Sequence, residues 1–203
     1  MMTFKEIDQK ILHYEEELEF AVNLLKSIPQ LNTKSTIISE NKRMKIEFFC
    51  FATTSYIDLL CTYRNLKRSK SDWEKFYNIK IAYLLIYETI NTYHKYKSDV
   101  YKTVTKEEQE FYRGFFDMLN RELAEFKENY SYDDVMAKIR NKSTAHYDKD
   151  FLVFFSSYER LAEPKTKEII RDFFHFLNPL HYFTFGLLQG KIDQFLFINS
   201  WLS

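Results

Sequence analysis

The sequence predicts an all-α protein, a bundle of about six to eight helices with no sheet. Three observations predict it. Only 3 Gly and 3 Pro punctuate 203 residues, too few for a fold built on tight turns. Apolar residues recur at spacings of three and four along most of the chain, the period of a helix with one buried face. Strict apolar–polar alternation, the pattern of a half-buried strand, is not sustained anywhere. The length suits one domain spanning residues 1–203 with a core of its own, and no internal repeat or low-complexity linker divides it.

From Thr3 to about Lys26, Phe4, Ile7, Ile11, Leu12, Leu18, Val22 and Leu25 form an apolar stripe with glutamates at 15, 16, 17 and 19 between them. This is an amphipathic helix ended by Pro29, and polar Gln30 to Ser39 reads as a loop. A second helix is expected from about Ser39 to Leu66. Its Phe48-Phe49-Cys50-Phe51-Ala52 stretch is apolar on nearly every side, as in a central helix. The basic patch Arg64, Lys67, Arg68 and Lys70 follows. It reads as a solvated helix end, where cations complement the dipole, with a contribution to RNA affinity as the other reading. Ser71 or Asp72 caps a third helix running to about Tyr96. Thr105 with Glu108 makes a capping box for a fourth, from Lys106 to about Asn129. A fifth opens at Ser131-Tyr132-Asp133-Asp134 and runs into Arg140 to His146. Phe151 to Leu161 is a further apolar element. Two helices, Lys165 to Leu177 and Leu180 to about Trp201, are expected on either side of Pro179.

Composition excludes several functions. Lys plus Arg and Asp plus Glu each number 29, so the formal net charge is zero. Nucleic-acid contact must then be local rather than driven by a basic excess, and a neutral chain repels its own copies weakly. Aromatics reach 18 %, and the tyrosines among them are expected at core edges or a subunit contact, where each hydroxyl finds a partner. Cys50 and Cys61 lie about 16 Å apart along one helix, too far for a disulfide, and are read as small buried apolar residues. No secretory leader follows Met1, so a cytoplasmic location is expected. The Phe173 to Gly190 stretch is interrupted by His175, Asn178, Pro179, His181 and Thr184, which argues for buried helices and against a membrane span.

No recognised metal, nucleotide or hydrolase motif is present. Carboxylate-bridged metal sites in bundles need Glu-x-x-His twice, but Lys10, Asn91, Ser143, Asp172 and Asn178 stand three residues before the five histidines. HExxH, the P-loop, GxGxxG and GxSxG are absent, and no cofactor is expected. His175 and His181, in an aromatic run, read as core or edge residues. His13 and His94 read as surface residues.

The segment Arg140-Asn141-Lys142-Ser143-Thr144-Ala145-His146 carries suggestive chemistry. In an ideal helix Arg140 and His146 point about 120° apart and lie about 9 Å apart along the axis, so they do not share a face. A loosened turn near Ser143-Thr144 would bring both toward one groove. The cluster combines a permanent cation suited to phosphate, an imidazole that exchanges protons near neutral pH and an orienting amide. A polar helix end with a His near its C-terminus remains the ordinary structural alternative.

Ile139 to Tyr147 resembles the signature of the HEPN superfamily, whose catalytic members carry an Arg, a polar residue next to it and a His separated from the Arg by four to six intervening residues. Here five residues intervene and Asn141 holds the polar position. The resemblance implies a HEPN-like bundle and a metal-independent endoribonuclease of toxin–antitoxin or phage-defence type. His146 would be the general acid–base, Arg140 the phosphate binder and Asn141 the orienting group. It also implies a homodimer whose motifs meet in a composite cleft, with Lys142 adding local charge. An antitoxin or nucleotidyltransferase partner is a further implication. Tyr147 is assigned packing or a hydrogen bond at the substrate site. Glu88, an acid directly after Tyr83-Leu84-Leu85-Ile86-Tyr87 in an apolar helix, is a candidate partner for Arg140, and an ordinary surface ion pair is the other reading. The alternative function is a non-catalytic helical module of the same fold, binding a protein or RNA.

Overall fold

The computed structural model describes residues 2–28, 37–104, 106, 109–132 and 163–189. Among them are five helices: α1 (Phe4–Ser27), α2 (Ile37–Arg68), α3 (Asp72–Thr103), α4 (Gln109–Asn129) and α5 (Glu163–Gln189). No strand occurs among the described residues, as the missing alternation predicts. The helices expected at Ser131 and over Phe151 to Leu161 extend outside the described residues, as do the Thr105 capping box and the chain beyond Gln189.

Two helix starts carry the same device. Thr3 Oγ1 accepts from the Glu6 N–H at 3.2 Å while the Glu6 carboxylate accepts from the Thr3 N–H at 2.6 Å. Ser71 and Glu74 repeat this at 3.2 and 3.0 Å. Each box satisfies donors that the first helical turn leaves orphaned. Of the two expected caps, Ser71 and Asp72, Ser71 takes the role; the Thr3-Phe4-Lys5-Glu6 box is equally legible in the sequence.

α2 is the hub, packing against α1, α3 and α5, while α4 lies mainly on α5. Phe48, Phe49, Tyr83, Tyr93, Phe116, Phe173, Phe176 and Phe183 are almost completely buried. Each such side chain contributes on the order of 2–3 kcal/mol of transfer free energy. Phe183 of α5 shows how tightly the rings pack: it stacks on Phe115 of α4 at 4.1 Å and meets Phe116 at 5.4 Å.

Four expectations need correction. α5 continues through Pro179 where two helices were expected. The proline forfeits one backbone bond and clashes with the preceding turn, at about 3 kcal/mol. Phe173, Phe176, Leu177, Leu180, Phe183 and Leu187 are buried on both sides of it, and that shared face outweighs the loss. α3 runs past Tyr96 to Thr103 because Val100 and Val104 extend its buried stripe. Several tyrosines are fully interior rather than at core edges: Tyr83 is hydrogen-bonded with Thr166, and burial pushes its hydroxyl up to about 12. Cys50 and Cys61 are free but only half-buried, and partial desolvation raises both thiols.

Among the described residues, no helix is long and apolar enough to cross a membrane.

Candidate functional site

Arg140, Asn141, Lys142, His146 and Tyr147 lie outside the described residues. The described structure supplies the two helix ends between which their segment runs. α4 closes at Asn129, and Ser131 turns the chain with a left-handed φ of 47°, a conformation that non-glycine residues adopt mainly in turns. On either side of that turn two tyrosines anchor the chain. The Tyr130 hydroxyl donates to Asp172 of α5 at 2.5 Å, and partial desolvation, then the Asp172 carboxylate, raise its pKa. Tyr132 is buried and lies parallel to Tyr87 of α3, with centroids 6.0 Å apart. The Lys127 ammonium covers the Tyr132 ring at 5.0 Å.

Glu88 follows Tyr87 on α3, so this helix passes beside the chain that leads toward Arg140. The Glu88 side chain is exposed and takes part in an interaction. Tyr83 and Ile86 of the same helix face the core while Glu88 faces outward, and its expected partner Arg140 lies outside the described residues.

A second polar cluster lies between α1, α2 and α5. His181 is buried with Nε2 3.0 Å from Glu17 Oε2. The two atoms lie close without the alignment of a directed hydrogen bond. The exposed His13 approaches the other oxygen, Oε1, at 3.4 Å. Around the His181 imidazole stand Tyr14 at 4.8 Å, Phe49 at 5.3 Å and Tyr56 at 6.1 Å. Tyr14 and Tyr56 share a hydrogen bond, and Tyr56 donates to Asn178 Oδ1, one residue before Pro179. Burial raises both phenols, Tyr56 the more strongly. The cluster opens into a groove of about 450 Å³ with His13, Glu16 and Glu17 at its polar end and Phe20, Leu24, Phe185 and Leu188 as walls.

The two imidazoles address opposite oxygens of one carboxylate instead of converging on a point. Among the described residues no group of three or more His, Cys, Asp or Glu side chains is placed to hold a metal ion. The arrangement holds α1 against α5 through one carboxylate approached by two imidazoles. Sequence reasoning identified His181 as a core histidine and His13 as a surface one, but missed Glu17, hidden in a run of solvated glutamates. His175, expected in the core or at its edge, is exposed because it points away from the stripe on either side of it. His94 is exposed as expected, with its pKa lowered by desolvation and by the cations Lys127 and Lys97.

The basic patch at the end of α2 is largely engaged. Arg64 donates to Asp8 at 2.7 Å and Arg68 reaches it at 3.5 Å. Lys67 donates to the Met2 carbonyl at 2.6 Å and lies 5.0 Å over the Phe4 ring.

No family model, no curated protein and no solved structure matches this chain.

Proposed function

We propose that the protein is a metal-independent endoribonuclease of the toxin–antitoxin or phage-defence type, acting in the cytoplasm. The observation that carries the reading is Arg140-Asn141 followed by His146 after five residues, in a HEPN-like signature on a chain whose described elements are all helices. The His146 imidazole takes the proton of a 2′-hydroxyl, whose oxygen attacks the adjacent phosphorus. The Arg140 guanidinium binds the phosphate oxygens as charge develops, and the P–O5′ bond breaks as the 5′-oxygen takes a proton from water, leaving a 2′,3′-cyclic phosphate. Asn141 orients these groups, Lys142 adds charge for the RNA backbone, and Tyr147 packs at the substrate. In this reading two subunits complete one cleft, which answers the divergence that an ideal helix would impose on Arg140 and His146. An antitoxin or nucleotidyltransferase is the expected protein partner.

The anchoring of the chain at Tyr130 and Tyr132 supports a role for Glu88 near Arg140, since α3 runs beside that anchor. The test is RNA cleavage by pure protein in EDTA. His146→Ala should lower the rate by about 10²–10⁴, the usual share of a general acid–base. Equal cleavage by both proteins would end the mechanism.

The zero net charge favours a second reading, a non-catalytic module of the same fold that binds a protein or RNA partner. Under it, His146→Ala changes stability and no activity.

A further inference from the structure

We propose that Trp73 and Tyr77 form a stacking platform for unpaired bases of single-stranded RNA, with the exposed Lys70, three residues before Trp73, meeting the phosphates. The proposal rests on the ribonuclease reading and gives it a place for substrate outside the Arg140–His146 cluster. Trp73 and Tyr77 are 60 % and 57 % exposed, among the most exposed large apolar side chains of the protein. Four residues apart, they stand on the same side of α3, one turn from each other. Phe76 stacks under the indole at 4.8 Å with the planes 19° apart. One face of Trp73 is therefore backed and the ring held in place, while the other face is open to solvent. A ring ordered in advance loses little entropy when a base settles on it.

The corner that carries this ring is stiff. The Ser71–Glu74 capping box closes the start of α3, and Asn78 Nδ2 donates to Ser69 Oγ at 3.1 Å across the α2–α3 turn. Its charge suits a polyanion. Between residues 67 and 75, Lys67, Arg68, Lys70 and Lys75 outnumber Asp72 and Glu74, with Lys67 and Arg68 shared with the Met2 carbonyl and Asp8 at the start of α1. Both acids are engaged locally, Asp72 with Lys75 at 3.2 Å and Glu74 with the backbone of the cap. A chain of zero net charge needs such a local excess to hold phosphates. The same excess disfavours a second copy of this surface, because like charges would face each other. Open aromatic faces beside cations are the usual means of gripping single strands without base specificity.

The experiment measures anisotropy of a fluorescent 2′-O-methylated oligouridylate, which lacks the 2′-hydroxyl needed for cleavage, on the wild-type protein, Trp73→Ala, Trp73→Phe and Tyr77→Ala. Trp73→Ala should weaken binding about tenfold and Tyr77→Ala severalfold, while Trp73→Phe stays within about twofold. Both positions are exposed, and circular dichroism checks that the fold survives. No binding by the wild-type protein, or equal binding by Trp73→Ala, overturns the platform. So does a Trp73→Ala, Tyr77→Ala double variant that changes oligomeric state in light scattering without changing RNA affinity. Cleavage that depends on His146 but not on Trp73 removes the platform alone. Trp73-dependent binding without any cleavage removes the nuclease alone.

Discussion

Helix α1 reaches across to its neighbours with two carboxylates whose surroundings differ sharply. Near its start, Asp8 meets Arg64 and Arg68 at 2.7 and 3.5 Å in a partly exposed contact that water reaches. Two and a half turns later, Glu17 meets His181 at 3.0 Å with both side chains largely removed from solvent and aromatic rings packed around the imidazole. The first contact has the better hydrogen-bond geometry and the second has the larger consequence. In water, the attraction between charges is screened, and holding two long side chains together costs entropy. In the interior, a group that loses its partner keeps its desolvation penalty and has nothing to offset it.

The comparison breaks most visibly at His181. His181→Ala leaves Glu17 Oε2 buried without its partner and opens space among Tyr14, Phe49 and Tyr56, and is expected to lower stability by about 3–5 kcal/mol in urea denaturation. A loss under about 1 kcal/mol would show that the two contacts are energetically alike. Replacing both partners, Glu17→Met with His181→Leu, should recover much of the loss, since apolar groups of similar volume need no partner.

Tyr130 is intermediate between the two. Its bond to Asp172 is charge-assisted but half-exposed, so Tyr130→Phe is expected to cost about 1 kcal/mol, read as a shift of the urea midpoint. Its more useful readout is amide exchange in 130–132, which should quicken if this bond anchors the chain there. Unchanged exchange would leave Tyr132 as the sole anchor.

The smallest effect is expected at Asp8, and it carries a pH signature. The Arg64 hydrogen bond holds the Asp8 carboxyl below its ordinary value, so the folded protein binds this proton more weakly than the unfolded chain. The contribution is therefore full above about pH 4, the unfolded aspartate value, and disappears as pH falls through the lower folded value. Asp8→Asn should differ slightly from wild type at pH 7, less in 1 M salt, and not at all at the acidic end. A difference that grows as pH falls would reverse the assignment.

Much of the helical framework was legible because its causes are local. The stripe from Ile7 to Leu25 and the Ser71 cap each depend on residues within one or two turns, and the observed ends of α1 and α2 lie within about two residues of those expected. Pro179 misled for the same reason. Its local penalty is visible in any window around it, whereas the buried face that overrides the penalty spans Phe173 to Leu187 and needs α2 and α4 as partners. The candidate nuclease site was legible as residue types and spacing, Arg140, Asn141 and His146. Glu88 shows the limit: its neighbours in sequence are apolar, yet a turn of the helix sets it on the outside.

The sequence by itself determined the all-helical class, the capped helix starts and the chemistry available at Arg140 to His146, because periodicity, capping and functional groups are properties of neighbouring residues. Only the tertiary structure decided which glutamate of the 15–19 run is buried, which C-terminal histidine it meets and which aromatics stay outside. Those choices join groups from opposite ends of the chain. They are made by competition among packed faces for burial, and no short stretch of sequence contains that competition.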